Sequence, residues 1–187
     1  CRAVVMIRKK VGNKFYSMPE LDRELHRVGR LWKKNAQAKL RRDNKNASGT
    51  LTRSMKIRTG SERGNAFVDL TPSVYYWKFV DLGVRGAKRS PYPRQSQSPY
   101  RFRNKMPPVS VIEEWIKVKG LTGRDKRGRF IKRTRFAFLI ARAIFRRGIK
   151  PTFFISDTGD RISRKYSQSI ADAIGRDMAA ILQKRTQ

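Results

Sequence analysis

The sequence predicts an α+β fold: a small antiparallel β-sheet packed with three to four α-helices, carrying a long basic loop or arm. Three observations predict it. Apolar residues recur at three- and four-residue steps in three separate stretches, the period that puts side chains on one face of a helix. Between the first and second of these, residues 51–70 read as short strands around a turn. Residues 83–108 then abandon all periodicity for Gly, Pro, Ser and Gln. With 187 residues, the chain is read as one α+β domain, 1–187, with 83–108 its loop or arm.

Taken in order, Ala3, Val4, Val5 and Ile7 fit a short strand closed by a Gly12-Asn13 turn. Ser17, Pro19 and Glu20 have the spacing of a capping box with proline in the first turn, so a helix is expected from there. Leu21, Leu25, Val28, Leu31 and Trp32 are its apolar stripe, and Asn46-Ala47-Ser48-Gly49 its close. His26 on this helix is an ordinary surface residue. Residues 51–58 and 66–70 form a hairpin across the turn-rich 59–65. In 74–82, VYYWKFVDL, the alternation of Tyr75, Trp77 and Phe79 predicts a strand whose aromatic face is core, with base stacking as the alternative.

After Pro107 and Pro108, Ser110 is placed to cap a short helix with Glu113 and Glu114 in its first turns. Val111 or Ile112, Trp115, Ile116 and Val118 supply its apolar side, and Gly120 stops it. The densest patterning is in 133–157, where Phe136, Leu139, Ile140, Ala143 and Ile144 predict a core helix ended by Gly148 and Pro151. Phe153, Phe154 and Ile155 follow as an extended anchor. Asp157 to Asp160 is a turn and N-cap, and Ile162, Tyr166, Ile170, Ile174, Met178 and Ile181 or Leu182 mark a last amphipathic helix.

Charge is the strongest global feature. Against 14 Asp and Glu stand 45 Lys and Arg, a formal +31. An excess this large repels itself and suits a polyanion or a strongly acidic protein surface. It concentrates in two places. One is the acid-free 83–108, with Arg85, Lys88, Arg89, Arg94, Arg101, Arg103 and Lys105 beside Tyr92, Tyr100 and Phe102. The other runs through Arg124, Lys126, Arg127, Arg129, Lys132, Arg133 and Arg135. Both are candidate contacts to DNA or to a neighbouring subunit.

Other chemistries find little support. The single cysteine, Cys1, excludes an internal disulfide, and with one histidine it cannot complete a zinc site. No apolar run approaches the about 20 residues a bilayer demands, and CRAVVMIRKK lacks the apolar region of a signal peptide. Nucleophile elbow, phosphate-cradling loop, paired CxxC and HExxH are all missing. The local acid pairs are Asp157 with Asp160, Glu113 with Glu114, and Asp69 with Asp81; each has a simpler role as cap, dipole partner or strand-end polarity. No enzyme, catalytic residue, cofactor or metal is expected.

Three pieces in order carry a resemblance: Val80-Asp81-Leu82-Gly83; Pro107-Pro108 leading to Ile112, Trp115, Ile116 and Lys119-Gly120; and Ala137-Phe138-Leu139-Ile140-Ala141-Arg142 leading to Gly148-Ile149-Lys150-Pro151-Thr152. With the helix from Pro19 and the Ser48-Gly49-Thr50-Leu51 start, this resembles the head-to-tail joining, neck or tail-completion proteins of tailed bacteriophages. The resemblance implies a non-enzymatic α+β virion protein, assembled in the host cytoplasm into a homo-oligomeric ring between portal and tail. Portal or adaptor and tail proteins would be its partners, with double-stranded DNA passing non-specifically through the lumen and no membrane involved. The basic excess and the acid-free loop depart from the usual pattern. The alternative is a non-enzymatic basic nucleic-acid-binding protein of ribosome- or nucleoid-associated type, which would bind as a monomer with a steep salt dependence.

Overall fold

The computed structural model describes residues 17–45, 48–62 and 65–184. The expected strand at Ala3–Ile7 and its turn, and the turn residues Asn46 and Ala47, lie outside them. The fold is α+β, with four long helices, two short ones and two small antiparallel sheets among the described residues. The chain divides into two compact units.

Unit one contains the described residues of 1–39, 54–73 and 154–187. Its helix α1, Pro19–Arg42, buries Leu21, Leu25, Val28 and Trp32 of the predicted stripe, with Trp32 only 2% exposed, and leaves Leu31 half-buried. Strands β1, Met55–Glu62, and β2, Asn65–Pro72, pair antiparallel from Met55↔Pro72 to Glu62↔Asn65. Of the expected 59–65 turn, residues 59–62 and 65 are therefore strand. α1 comes down on the hairpin at Gly29, where an added Cβ would lie 2.7 Å from Ile57 Cγ2. The last helix of the chain, Ser156–Gln183, is longer than predicted, since Asp157–Asp160 is its first turn and not a preceding cap. Its Gly159 makes room for the Trp32 ring, and the Trp32 indole donates to Thr158 Oγ1 at 3.0 Å.

The expected capping box at Ser17 is replaced by a distant group. Asp177 Oδ2 accepts from Leu21 N at 2.9 Å and Oδ1 from Glu20 N at 3.2 Å. A carboxylate here satisfies two of the orphan amides of the α1 N-terminus, where Pro19 itself has no N–H to satisfy, and complements its dipole. Asp177 is buried, while Met178 and Leu182, expected on the apolar face, are exposed.

Unit two contains the described residues of 40–53 and 74–153. Asn44, in a positive-φ conformation (φ 52), turns the chain after α1, ahead of the predicted stop. Residues 51–53, read as the start of a strand, belong to one helical turn, α2, Thr50–Arg53. The predicted aromatic strand is also helical: α3 covers Trp77–Leu82, and Tyr75 is 86% exposed where core was expected. Strand propensity is a weak prior that tertiary context overrides. Here the α3 C-terminus is tied down by Thr152 N and Phe153 N, which both donate to Asp81 O.

Helix α4, Val109–Lys119, begins at Pro108, so Ser110 lies inside it and is not the cap, and its first turn holds no acid. Gly120 closes it in the left-handed conformation, as predicted. Helix α5, Arg133–Arg147, has the predicted bounds but a rotated face. Ala137 and Ala141 pack with Ile112 and Ile116 of α4, while Leu139 is exposed. Small residues let the helix backbones approach, so the seam runs through the alanines. Past α5, β4 (Gly148–Ile149) pairs with β3 (Val84–Arg85). Phe153 has φ 49 and Phe154 lies in a turn, so the predicted extended anchor is a corner, continuing into α6 (Ser156–Gln183).

Candidate interaction surface

All the predicted contact residues fall in unit two. The acid-free segment is fixed by two buried polar side chains, Gln95 and Ser98. Gln95 Nε2 donates to Val84 O at 2.7 Å, Arg147 O at 2.9 Å and Ile149 O at 3.3 Å, so one amide bridges the 3₁₀ turn Gln95–Gln97 and both strands of the small sheet. Ser98 Oγ donates to Gly83 O at 2.7 Å. Arg85 N donates to Tyr100 O and Phe102 N to Arg85 O, stitching the segment's return alongside β3. Buried polar groups satisfied in this way specify one conformation.

The glycines of this hub are required by space. Gly83, at φ 70, would place a Cβ 2.6 Å from Ile149 O, and Gly148, at φ 81, would drive one into Val84 O and the Gln95 amide. The positive φ expected of Gly148 is present, though with an extended ψ of −169° in place of the left-handed helical cap.

With the backbone fixed, the cations take defined places. Lys88, Arg89, Arg94, Arg101, Arg103 and Lys105 are exposed and Arg85 is half-buried. Arg94 lies over the Phe153 ring at 3.7 Å from its centroid. In the second basic stretch Arg124, Lys126, Arg127, Arg129, Lys132, Arg133 and Arg135 are all exposed. Asp125 organises its turn: Oδ1 accepts from Arg127 N and Arg129 N, and Oδ2 pairs with Arg129 Nε at 3.0 Å. These bonds, first of all the Arg129 amide, hold the Asp125 carboxyl below its usual range.

A cleft of about 1450 Å³ opens within unit two. Arg85, Arg101 and Arg103 line it together with Lys45, Lys119 and Lys150, and among the described residues no acidic side chain contributes to its wall. Desolvation, then the charges of Lys150 and Lys119, pull the Lys45 ammonium below the ordinary lysine range. As a residue Lys45 is exposed, so little folding energy is at stake. The three lysines have no local signature in the sequence, because folding gathers them from the chain just past α1, the end of α4 and the chain just past β4. The second basic stretch is not part of the lining. Phe79 and Tyr100 meet edge to face with centroids 4.6 Å apart, so the loop aromatics are packed, not presented as free faces.

Beside the cleft residue Trp115, Val111 and Val118 continue along α4 as an exposed apolar stripe. Among the described residues, no group of three or more His, Cys, Asp or Glu side chains is gathered to hold a metal, and no helix is long and apolar enough to cross a membrane. His26 is exposed and its Nε2 lies 3.2 Å from Thr59 Oγ1. Asp69 stands opposite Arg58 in the hairpin of unit one, and Asp81 is buried in α3 of unit two. No family model, curated protein or solved structure matches the chain.

Proposed function

We propose that this chain is a structural virion protein of a tailed bacteriophage, a neck or head-to-tail connector subunit. It would form a homo-oligomeric ring between portal and tail proteins and turn basic surfaces toward passing DNA or acidic neighbours. The observation that carries the proposal is that the three sequence pieces bearing the resemblance fold together in unit two. Gly83 abuts Ile149 and Pro151, Thr152 donates to Val80 O and Asp81 O, and Ile112 and Ile116 pack on Ala137 and Ala141. Around this shared frame the acid-free segment holds its cations in fixed positions, which suits repeated, sequence-independent contact with phosphates or carboxylates.

The exposed α4 stripe fits the same role, since an apolar strip rimmed by charge marks a protein contact. Ring symmetry would repeat both features around a lumen. Sizing the purified chain at low and high salt, beside a duplex-binding titration, tests the proposal. A discrete oligomer that survives high salt is expected. A monomer that binds duplex tightly, with affinity falling steeply in salt, would overturn it in favour of a nucleic-acid-binding module.

A further inference from the structure

We infer that the acid-free cleft of unit two receives an acidic, apolar-bearing peptide segment of a protein neighbour, with the Arg85 guanidinium as its carboxylate anchor. The inference deepens the connector proposal by naming the chemistry of one partner, and it rests on the view that this chain assembles with other proteins.

The anchor is singled out by an unmet need. Arg85 Nε is buried and has no hydrogen-bond partner among the described residues. A buried donor left unpaired costs about 1–3 kcal/mol, and more when the group is charged. Among the described residues the cleft wall offers no carboxylate to pair with it. Arg85 lines the cleft, and a carboxylate seated there, with a shift of the side chain that uncovers Nε, would take Nε and one Nη together, the strong bidentate arrangement. Lys119 adds an exposed ammonium at the C-terminal end of α4, where it already donates to Asn44 Oδ1 at 2.8 Å.

The rest of the lining decides between kinds of anion. Ile112, Ile140 and Ile144 give an aliphatic wall, and Trp115 is 40% exposed beside it. Aliphatic walls accept apolar side chains, whereas a nucleic-acid single strand needs open aromatic faces on which bases stack. Phe79 and Tyr100 are engaged with each other, and Phe102 lies tilted against Phe145 with centroids 6.2 Å apart, so among the described residues of the wall Trp115 alone is an exposed ring, which offers no succession of faces for successive bases. A duplex carries its phosphates on a convex surface and suits the exposed loops better than a cleft. Carboxylates interleaved with apolar residues meet both halves of the lining.

The probe is a short fluorescent peptide alternating leucine and glutamate, titrated into the intact chain and followed by anisotropy. The glutamine version of the peptide and a short oligothymidylate serve as comparisons. Binding of the glutamate peptide is expected, weakened about tenfold or more by Arg85→Gln. Lys119→Gln should weaken it less, and Arg161→Gln in unit one should leave it unchanged. If Arg85→Gln loses its fold by circular dichroism, Lys119→Gln carries the test.

Absence of binding, equal losses in all three variants, or equal affinity for the glutamine peptide would overturn the inference. So would an oligothymidylate that displaces the peptide and shares its dependence on Arg85 or Lys119. Sizing separates the two claims: an oligomer that ignores the peptide overturns only the cleft, and a monomer that binds it overturns only the connector.

Discussion

Unit one is held by apolar burial and unit two by polar stitching, and the contrast separates scaffold from candidate contact surface. In unit one, Trp32, Phe154, Ile155 and Ile170 are fully or almost fully buried, and the long helices carry continuous stripes. In unit two the helix pair is seamed by two alanines and two isoleucines, and much of the remaining chain has little regular structure. Its order comes from a glutamine, a serine and glycines at positive φ. An irregular segment specified in this way can keep its outer face almost entirely cationic, because it asks little of apolar burial. Unit one cannot do so, since its stripes must face inward.

The sharpest way to break the comparison is to strike each unit at its own kind of support. Trp32→Ala should cost about 3–5 kcal/mol in denaturant unfolding, since it empties a core site and removes the indole bond to Thr158. Gly148→Ala should cost about 3 kcal/mol or more by the same measurement, because it combines a positive φ with a clash against Val84 O. Equal tolerance of both would mean that neither support matters as described.

A smaller loss sharpens the stitching claim. Gln95→Ala leaves the carbonyls of Val84, Arg147 and Ile149 without their shared donor, at about 1–3 kcal/mol. Amide exchange should then rise across residues 83–102, while the β1–β2 hairpin keeps its protection. Asp177→Ala should cost about 1 kcal/mol through the freed amides of Glu20 and Leu21, with exchange rising in the first turn of α1.

The smallest expected effect depends on pH. The Glu24 carboxyl accepts two bonds from Arg27, at 2.5 and 2.7 Å, and these hold it below its usual range. A depressed carboxylate stabilises the fold above its unfolded pKa and loses that contribution as pH falls through the folded value. Glu24→Gln should therefore cost below about 1 kcal/mol at neutral pH, and the difference should vanish in acid. Parallel chemical-denaturation curves over the acid range would check the sign.

The sequence made the long helices of the structure legible because their signals are local. Pro19, Gly120 and Gly148 sit at or beside real boundaries, and the α1 stripe is buried as its spacing implies. Misreadings came where a distant group decides. Asp177 replaces the Ser17 cap across 156 residues, and nothing near either residue announces it. The aromatic run at 74–82 alternates like a strand, yet its C-terminal half is helical and tied down by residues 152 and 153. On α5, Ala137 and Ala141 take the buried seam that the larger Leu139 was expected to fill.

The basic character of the candidate surface could be read directly, and its geometry could not. Arg85, Arg101 and Arg103 were marked by a run without acids, but Lys45, Lys119 and Lys150 join them only in three dimensions. Gln95 had no signal beyond being one polar residue in a polar loop.

Hydrogen exchange of the 187-residue chain, compared between its oligomer and its dilute monomer, tests most directly whether unit two is the assembling face. The account predicts an oligomer whose added protection concentrates in residues 83–105 and along α4, with the β1–β2 hairpin unchanged. A chain that forms no oligomer, or one whose added protection falls on the hairpin and spares unit two, would contradict it.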